Sequence, residues 1–229
     1  MSTQQFDDDG FTTHKHILPV SLRPAVEHAF SMLHEDGVGS RAGLTHPAIA
    51  SLARAGSVRA LVEPSLGRSA FAFRATLFDK TEANNWPVAW HQDRVVPVAE
   101  RLDADGFTNW SQKPDGLYVE PPRSVLERCV AIRIDLDGSG PGNGGLQLCA
   151  GSHRRGVLTP DEIEEAVGQG HEPCPKVVSG GALRMRPLLL HRSGRSMAAG
   201  HRRIVHIEFC ATELRGGLRF AQHVMPASE

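Results

Sequence analysis

The sequence carries no surplus of either charge. A formal net charge of −1 and a pI of about 6.9 give no electrostatic reason to expect nucleic acid or a membrane surface as partner. No apolar run comes near the roughly 18–20 residues of a transmembrane helix. The four cysteines, Cys129, Cys149, Cys174 and Cys210, are scattered without CxxC spacing, so neither a zinc knuckle nor a disulfide framework is indicated. The first residues, Met1 to Asp9, lack the basic and apolar regions of a secretory signal. Internal repeats and low-complexity linkers are missing as well. These absences lead to the expectation of a soluble, cytoplasmic protein of a reducing compartment, with a small molecule as its partner. One domain over residues 1–229 is expected, because single all-β domains of roughly 200–250 residues are common. Tyrosine is the scarcest aromatic, one residue against twelve histidines, most of which are expected to be ordinary surface or packing residues.

What is present is concentrated in two places. Trp90-His91-Gln92-Asp93 sets a histidine and an aspartate two apart. On a β-strand such a pair faces one way, because side chains alternate with a period of two. A second histidine from a distant strand, His191, would complete two imidazoles and one carboxylate on one side of a metal. That facial triad leaves coordination positions open and marks non-haem Fe(II) oxygenases. Arg202, downstream of His191, is the residue type a cosubstrate carboxylate needs as bidentate partner. A zinc hydrolase could use the same ligands. It would also need a general base beside the metal-bound water, and no HExxH-like motif is present.

The N-terminal part, residues 1–69, reads as helical. Leu22, Val26, Ala29, Phe30 and Leu33 form a stripe at helical spacing between Ser21 and Leu33. Thr45-His46-Pro47 opens a second helix that Gly56 stops, and Ser57 caps a third from Val58 to Leu66 with Pro64 in its last turn. From Ala70 the pattern changes to strands. Phe71, Phe73, Ala75 and Leu77 alternate with Arg74 and Thr76; Val130, Ile132, Ile134 and Leu136 alternate with Ala131, Arg133, Asp135 and Asp137. Arg203, Val205, Ile207 and Phe209 alternate with Arg202, Ile204, His206 and Glu208. Such alternation predicts antiparallel strands with one apolar and one polar face. Asn143-Gly144-Gly145 and Ser179-Gly180-Gly181 are turns, and Thr159-Pro160-Asp161-Glu162 is a capping box that starts a helix ending near Gly168. The stretch 94–128 is rich in Asp, Gly and Pro and leaves directly from Asp93. It is expected to be a lid over the site, with Phe107 and Trp110 as apolar contacts to substrate. The fold expected is mainly β: a jelly roll over residues 70–215 with the N-terminal helices packed on one sheet.

Arg74, Arg133 and Arg202 all sit on polar parities of their strands. Outward-facing charge is one reading; a buried network with Asp135 or Glu208 is another. A jelly roll with an open mouth can instead hold a small anion, and 2-oxoglutarate supplies two carboxylates. Parity also separates neighbours: Arg203 shares its side with Val205, Ile207 and Phe209, whereas Arg202 and His206 share the lumen side.

The ordered motifs Ala75-Thr76-Leu77-Phe78-Asp79-Lys80, Trp90-His91-Gln92-Asp93, Asn143-Gly144-Gly145-Leu146, Gly151-Ser152-His153, and His191 with Arg202 resemble the phytanoyl-CoA dioxygenase family over roughly residues 9–209. The resemblance implies a double-stranded β-helix that binds Fe(II) and 2-oxoglutarate and uses O2. It implies hydroxylation of a C–H bond of a small-molecule metabolite, with release of succinate and CO2. By position, His91, Asp93 and His191 match the iron ligands, and Arg202 matches the arginine that grips the far carboxylate of 2-oxoglutarate. Gln92 and Ser193 fall where members often add cosubstrate contacts. Ala150 stands where many members have proline, and Arg133 where many have an aromatic residue, so Arg133 is a cosubstrate candidate on its parity alone, as is Arg74. Halogenating relatives lack the carboxylate that Asp93 supplies, which favours hydroxylation. Desaturation or ring formation by the same oxidant is the alternative; a non-catalytic ligand-binding jelly roll is the alternative from another class.

Overall fold

The computed structural model describes residues 3–32, 40–41, 43–170 and 172–227. Helix α1 (Thr3–Asp9) and strand β1 (Phe11–His14), neither anticipated by hydrophobic periodicity, precede α2 (Arg23–Ser31), α3 (Pro47–Arg54) and α4 (Gly56–Leu66). Strands β2 (Phe71–Lys80), β3 (Val88–His91), β4 (Val96–Val98), β5 (Thr108–Lys113) and β6 (Gly116–Glu120) follow. The order continues with α5 (Arg123–Leu126), β7 (Cys129–Asp135), β8 (Leu146–Leu148) and α6 (Pro160–Gln169). It ends with β9 (Ala182–Met185), β10 (His191–Ser193) and β11 (Arg202–Cys210).

The helices follow their local signals with two differences. Val26, Ala29 and Phe30 of the α2 stripe are buried, while Leu33 lies outside the described residues. His46 caps α3 through its ring, Nδ1 accepting from the Ala48 N–H at 3.3 Å, with Pro47 at the first helical position. Gly56 opens α4 instead of stopping α3, and Ser57 does not cap it, because the Ser57 hydroxyl donates to the Ile17 carbonyl at 2.6 Å. The capping box of α6 forms on both sides: the Glu162 carboxylate accepts from the Thr159 N–H at 2.8 Å and the Thr159 hydroxyl from the Glu162 N–H.

The protein is a double-stranded β-helix, a jelly roll of antiparallel strands. The major sheet runs β1-β9-β7-β11-β2, and the minor sheet β3-β10-β8. Val26, Ile49, Leu52, Val58 and Val62 from the helices share one core with Ile132, Ile134, Val205 and Ile207 from the apolar parities of β7 and β11. The opposite parities of β2, β7 and β11 face inward and line a cavity. One expectation of alternation fails at the start of β2. Arg74 pairs with Glu208 but Ala72 pairs with Phe209, a bulge at Phe73 that flips the pleat. Phe71 and Phe73 therefore leave the side occupied by Ala75 and Leu77 and join a second core with Val96, Val119 and Phe220.

The stretch 94–128, expected as a structureless lid, is a folded unit. Strands β4, β6 and β5 form a third sheet in that order, and Val96, Val98, Phe107, Tyr118, Val119, Val125 and Leu126 are buried. Local pattern did not reveal these strands because they are short, and β5 (Thr-Asn-Trp-Ser-Gln-Lys) has no apolar parity to read. Phe107 packs into the core shared with Phe71 and Phe73, and Trp110 lies beneath the Arg101 guanidinium at 5.3 Å. Neither lines the cavity; Arg94, Val95 and Lys113 do so from this stretch. Among the described residues no helix is long and apolar enough to cross a membrane. Truncating a buried phenylalanine costs about 3–5 kcal/mol. Phe107→Ala is therefore expected to lower unfolding stability by about 3 kcal/mol in urea titrations while leaving 2-oxoglutarate affinity unchanged. A loss of ligand affinity without a loss of stability would make Phe107 a wall of the site.

Candidate active site

The minor sheet brings the two distant histidines together. His191 on β10 stands directly opposite His91 on β3, their ring centroids 4.1 Å apart. Asp93, just beyond β3, is anchored by its N–H donating to the Pro187 carbonyl at 2.9 Å, and its Oδ2 lies 3.8 Å from His191 Nε2. The ligating atoms of His91, Asp93 and His191 all lie within 4.8 Å of one another. The tautomers are set by the backbone. His91 Nδ1 sits 2.8 Å from the Ala89 carbonyl and His191 Nδ1 2.8 Å from the Leu189 carbonyl. A carbonyl oxygen only accepts, so each Nδ1 carries the proton and each Nε2 lone pair remains for a metal.

Electrostatics favours the same use. Burial, helped by nearby His91, brings His191 down to about 4, so it is neutral at pH 7. Burial opposes ionisation of Asp93, yet the surrounding imidazoles and the Arg74 guanidinium hold it below the usual carboxylate range. Neutral imidazoles beside an ionised carboxylate are the protonation states a divalent cation requires. The Asp93 Oδ2 atom is buried with no hydrogen-bond donor, so these residues fit a metal ion that would satisfy it. A second grouping, Asp93 with His206 and Glu208, has ligand atoms equally close. Glu208 is already committed, because both its oxygens accept from the Arg74 guanidinium. The first triad is the one with free lone pairs.

A basic end lies along the inner face of the major sheet. Lys80 pairs with Arg202 at one end of the β2–β11 ladder, His206 pairs with Thr76 in the middle, and Glu208 pairs with Arg74 at the other end. Arg202 is 2% exposed; one guanidinium nitrogen donates to the Gly144 carbonyl at 2.6 Å, and its Nε has no partner. Lys80 Nζ donates to Ser193 Oγ at 3.1 Å and to the Gly194 carbonyl at 2.8 Å. Burial, with Arg202, Arg133 and Arg195 adding, pulls the Lys80 ammonium down to about 7. Burial likewise lowers Arg202 to about 10, with Arg133 adding. The buried Asp135 carboxylate beside Arg133 and Arg202 offsets part of this charge, and three cations against one carboxylate remain short of an anion. Lys80 was not among the sequence candidates, although the alternation that holds Arg74 and Thr76 reaches it two steps further along β2.

Other candidates fall differently. Arg203 points away from the cavity, held by both Asp137 oxygens at 2.6 and 3.0 Å, as parity required. Arg133 lines the cavity beneath the Phe78 ring at 5.6 Å, and Ser193 lines it beside Lys80. Arg74 is the buried partner of Glu208, so the network reading applies to it. Gln92 does not offer its amide to a cosubstrate. Its Nε2 donates to the Gly156 carbonyl at 2.8 Å and the Leu188 carbonyl at 2.7 Å, and its Oε1 accepts from the Leu158 N–H at 2.9 Å. Lying between His91 and Asp93 at the cavity wall, it ties three backbone segments together. Ser152, read as part of a structural turn, accepts from the Leu190 N–H at 2.9 Å and so braces the residue before His191.

Two antiparallel sheets, a His–Asp–His cluster at the cavity wall and a basic end to the cavity are the features of double-stranded β-helix oxygenases. The phytanoyl-CoA dioxygenase family model matches residues 29–204, and the chain belongs to that family, whose members use Fe(II), 2-oxoglutarate and O2. No curated protein matches the sequence. Solved structures of similar fold include EctD from S. alaskensis, crystallised with 2-oxoglutarate and 5-hydroxyectoine, at a TM-score of 0.69 and 17% identity, covering 94% of this chain and 78% of that one. HygX from Streptomyces hygroscopicus, crystallised with iron, has a TM-score of 0.64 and 17% identity, covering 93% and 87%. SnoK, a non-haem α-ketoglutarate-dependent carbocyclase from nogalamycin biosynthesis, has a TM-score of 0.67 and 12% identity, covering 93% and 85%.

A buried polar group left without its partner costs about 1–3 kcal/mol. Gln92→Leu strands two carbonyls and one N–H, and is expected to cost roughly 3 kcal/mol of stability. It should also weaken iron binding, measured by chelator competition, because the β3 end would no longer hold His91 and Asp93 in place. Unchanged stability in that variant would mean water replaces the amide.

Proposed function

We propose that the protein is an Fe(II)/2-oxoglutarate-dependent dioxygenase that hydroxylates a C–H bond of a small-molecule metabolite. The observation that carries this reading is the convergence of the His91 and His191 imidazoles and the unpartnered Asp93 oxygen on one point of a cavity of about 510 Å³. His91, Asp93 and His191 would hold the iron, and Arg202, Lys80 and Ser193 would take the C5 carboxylate of 2-oxoglutarate. Arg133 adds positive potential at that end. When bound, the iron with 2-oxoglutarate and O2 supplies an oxidant for an unactivated C–H bond, with succinate and CO2 as co-products.

The chain's own contribution is positioning and charge. The Ala89 and Leu189 carbonyls orient the imidazoles. Arg202 and Lys80 offer a desolvated bidentate and point-charge pair for a carboxylate, which is strong because water does not compete there. Phe78, Trp86, Val88 and Leu146 give the cavity apolar walls that exclude water around the reacting carbon. Desaturation or ring formation is the second reading, favoured by the carbocyclase among the similar folds.

Asp93→Ala is expected to abolish iron-dependent succinate formation, since an alanine leaves one coordination contact and one charge missing. Normal iron-dependent turnover in that variant would refute the metal assignment. Removing one partner of a buried charge-assisted pair costs about 2–5 kcal/mol. Arg202→Ala should therefore raise the apparent 2-oxoglutarate constant roughly 30-fold or more, at about 1.4 kcal/mol per decade. Arg203→Ala, on the outer face, should change it little; the reverse order of effects would overturn the placement of the cosubstrate.

A further inference from the structure

Seven basic side chains line the cavity against the carboxylates of Asp93 and Glu208. Their distribution is uneven along the β2–β11 ladder. Lys80, Arg133 and Arg202 gather at one end, where the cosubstrate carboxylate is placed above. Arg74, Arg94, Lys113 and Arg41 lie toward the other end, and most of their charge is matched. Arg74 is chelated by Glu208, and Arg94 donates to both oxygens of Glu120 at 2.7 Å. Lys113 and Arg41 are the exceptions. Among the described residues no carboxylate lies within salt-bridge distance of the Lys113 ammonium, which rests over the Tyr118 ring at 4.4 Å. Among the described residues the one carboxylate Arg41 reaches is Asp115, at 4.0 Å, and that carboxylate is engaged by the Tyr118 hydroxyl.

We propose that Lys113 and Arg41 form an oxyanion subsite for the substrate, so that the molecule oxidised carries a carboxylate, sulfonate or phosphate group recognised at the end of the cavity away from Arg202. This rests on the reading of the cavity as an Fe(II)/2-oxoglutarate site. Three observations support it independently of the metal. Tyr118 links both cations to the ladder end: its ring lies 5.7 Å from the Arg74 guanidinium and 4.4 Å from the Lys113 ammonium, and its hydroxyl donates to Asp115, the carboxylate that Arg41 approaches. Lys113 is half-buried: burial lowers its pKa, Arg41 and Arg74 lower it further, and the more distant Asp115 and Glu208 carboxylates, already engaged by Tyr118 and Arg74, offset this only in part. A partly desolvated ammonium with no directly paired carboxylate is costly, and an incoming anion reduces that cost. The ladder also separates the two anion sites by its length. Arg74 and Lys80 are six residues apart on one face of β2, roughly 20 Å at 3.3–3.4 Å per residue, so one small diacid does not occupy both ends. Between them His206 and Asp93 sit 3.6 Å apart, at the metal-binding point. An anion held at Lys113 would therefore leave the rest of a substrate extended toward the metal.

The test uses the protein loaded with Fe(II) and saturating 2-oxoglutarate under anaerobic conditions, so that the Arg202 end is filled. A panel of carboxylates, sulfonates and phosphate monoesters, each paired with its neutral amide or ester, is titrated calorimetrically. The expected result is at least one acid that binds about tenfold or more tightly than its neutral counterpart, a difference of about 1.4 kcal/mol per decade. The preferred acid class tells carboxylate from phosphate recognition. Lys113→Met, which keeps the stem and removes the charge, should abolish the preference; Lys113→Arg should keep it, and Arg41→Gln should reduce it. Affinity for 2-oxoglutarate should be the same in all three variants, which also shows that they are folded. The inference is overturned if no acid binds, if neutral members bind as tightly as acids, or if the preference survives in Lys113→Met. Failure of 2-oxoglutarate to bind the unaltered protein would instead overturn the reading on which the inference rests.

Discussion

The pairing of β3 with β10 is the constraint on which the site depends. It sets His91 opposite His191, and a slip of one residue would send one imidazole to the other face of the sheet. Several otherwise unrelated features hold that register. Gln92 fastens the end of β3 to the backbone at Gly156, Leu158 and Leu188. Ser152 and Cys149 grip Leu190 from both sides, through its N–H and its carbonyl. A register shift between Val88 and His91 places the Ala89 carbonyl where it orients the His91 ring. The geometry of the His–Asp–His cluster is thus an outcome of backbone hydrogen bonding, supplied in part by the Gln92 amide and the Ser152 hydroxyl.

The major sheet imposes the second requirement, a charged inner face inside a jelly roll. Arg74, Lys80, Arg133, Arg202, Asp135, His206 and Glu208 are all buried there, against the general tendency of charge to stay in water. Replacing such groups by apolar residues is often neutral or stabilising in proteins, so stability alone does not account for them. Their arrangement along the ladder does: the Arg74–Glu208 pair is matched at one end, while Lys80 and Arg202 stand together at the other, the end proposed to take an anion. The helices on the opposite face supply the apolar burial that offsets this cost.

Strand alternation was a sound guide wherever the pleat is regular. It separated Arg202 from Arg203, because nothing interrupts β11 between Arg202 and Glu208 and the two faces stay distinct. It failed at Phe71 and Phe73, where one extra residue at a bulge turns the chain over. It was silent about residues 94–128, whose three short strands are held by pairing with one another and by a core built from distant phenylalanines. Gln92, a cosubstrate candidate by resemblance, lines the cavity, and only the folded chain shows that its amide is spent on the Gly156 and Leu188 carbonyls and the Leu158 N–H.

The sequence by itself determined the chemical repertoire: two histidines, an aspartate and an arginine with the right parity, on strands whose apolar faces could be assigned from local pattern. That much follows because side-chain direction within a strand depends only on neighbouring residues. Only the tertiary structure decided which distant groups meet. The opposition of His91 and His191, the commitment of Glu208 to Arg74, the place of Lys80 beside Ser193, and the gathering of Arg41, Lys113 and Tyr118 all depend on how strands cross and in what register. Those choices are set by summed packing and backbone pairing over the whole chain, and no local run of residues encodes them.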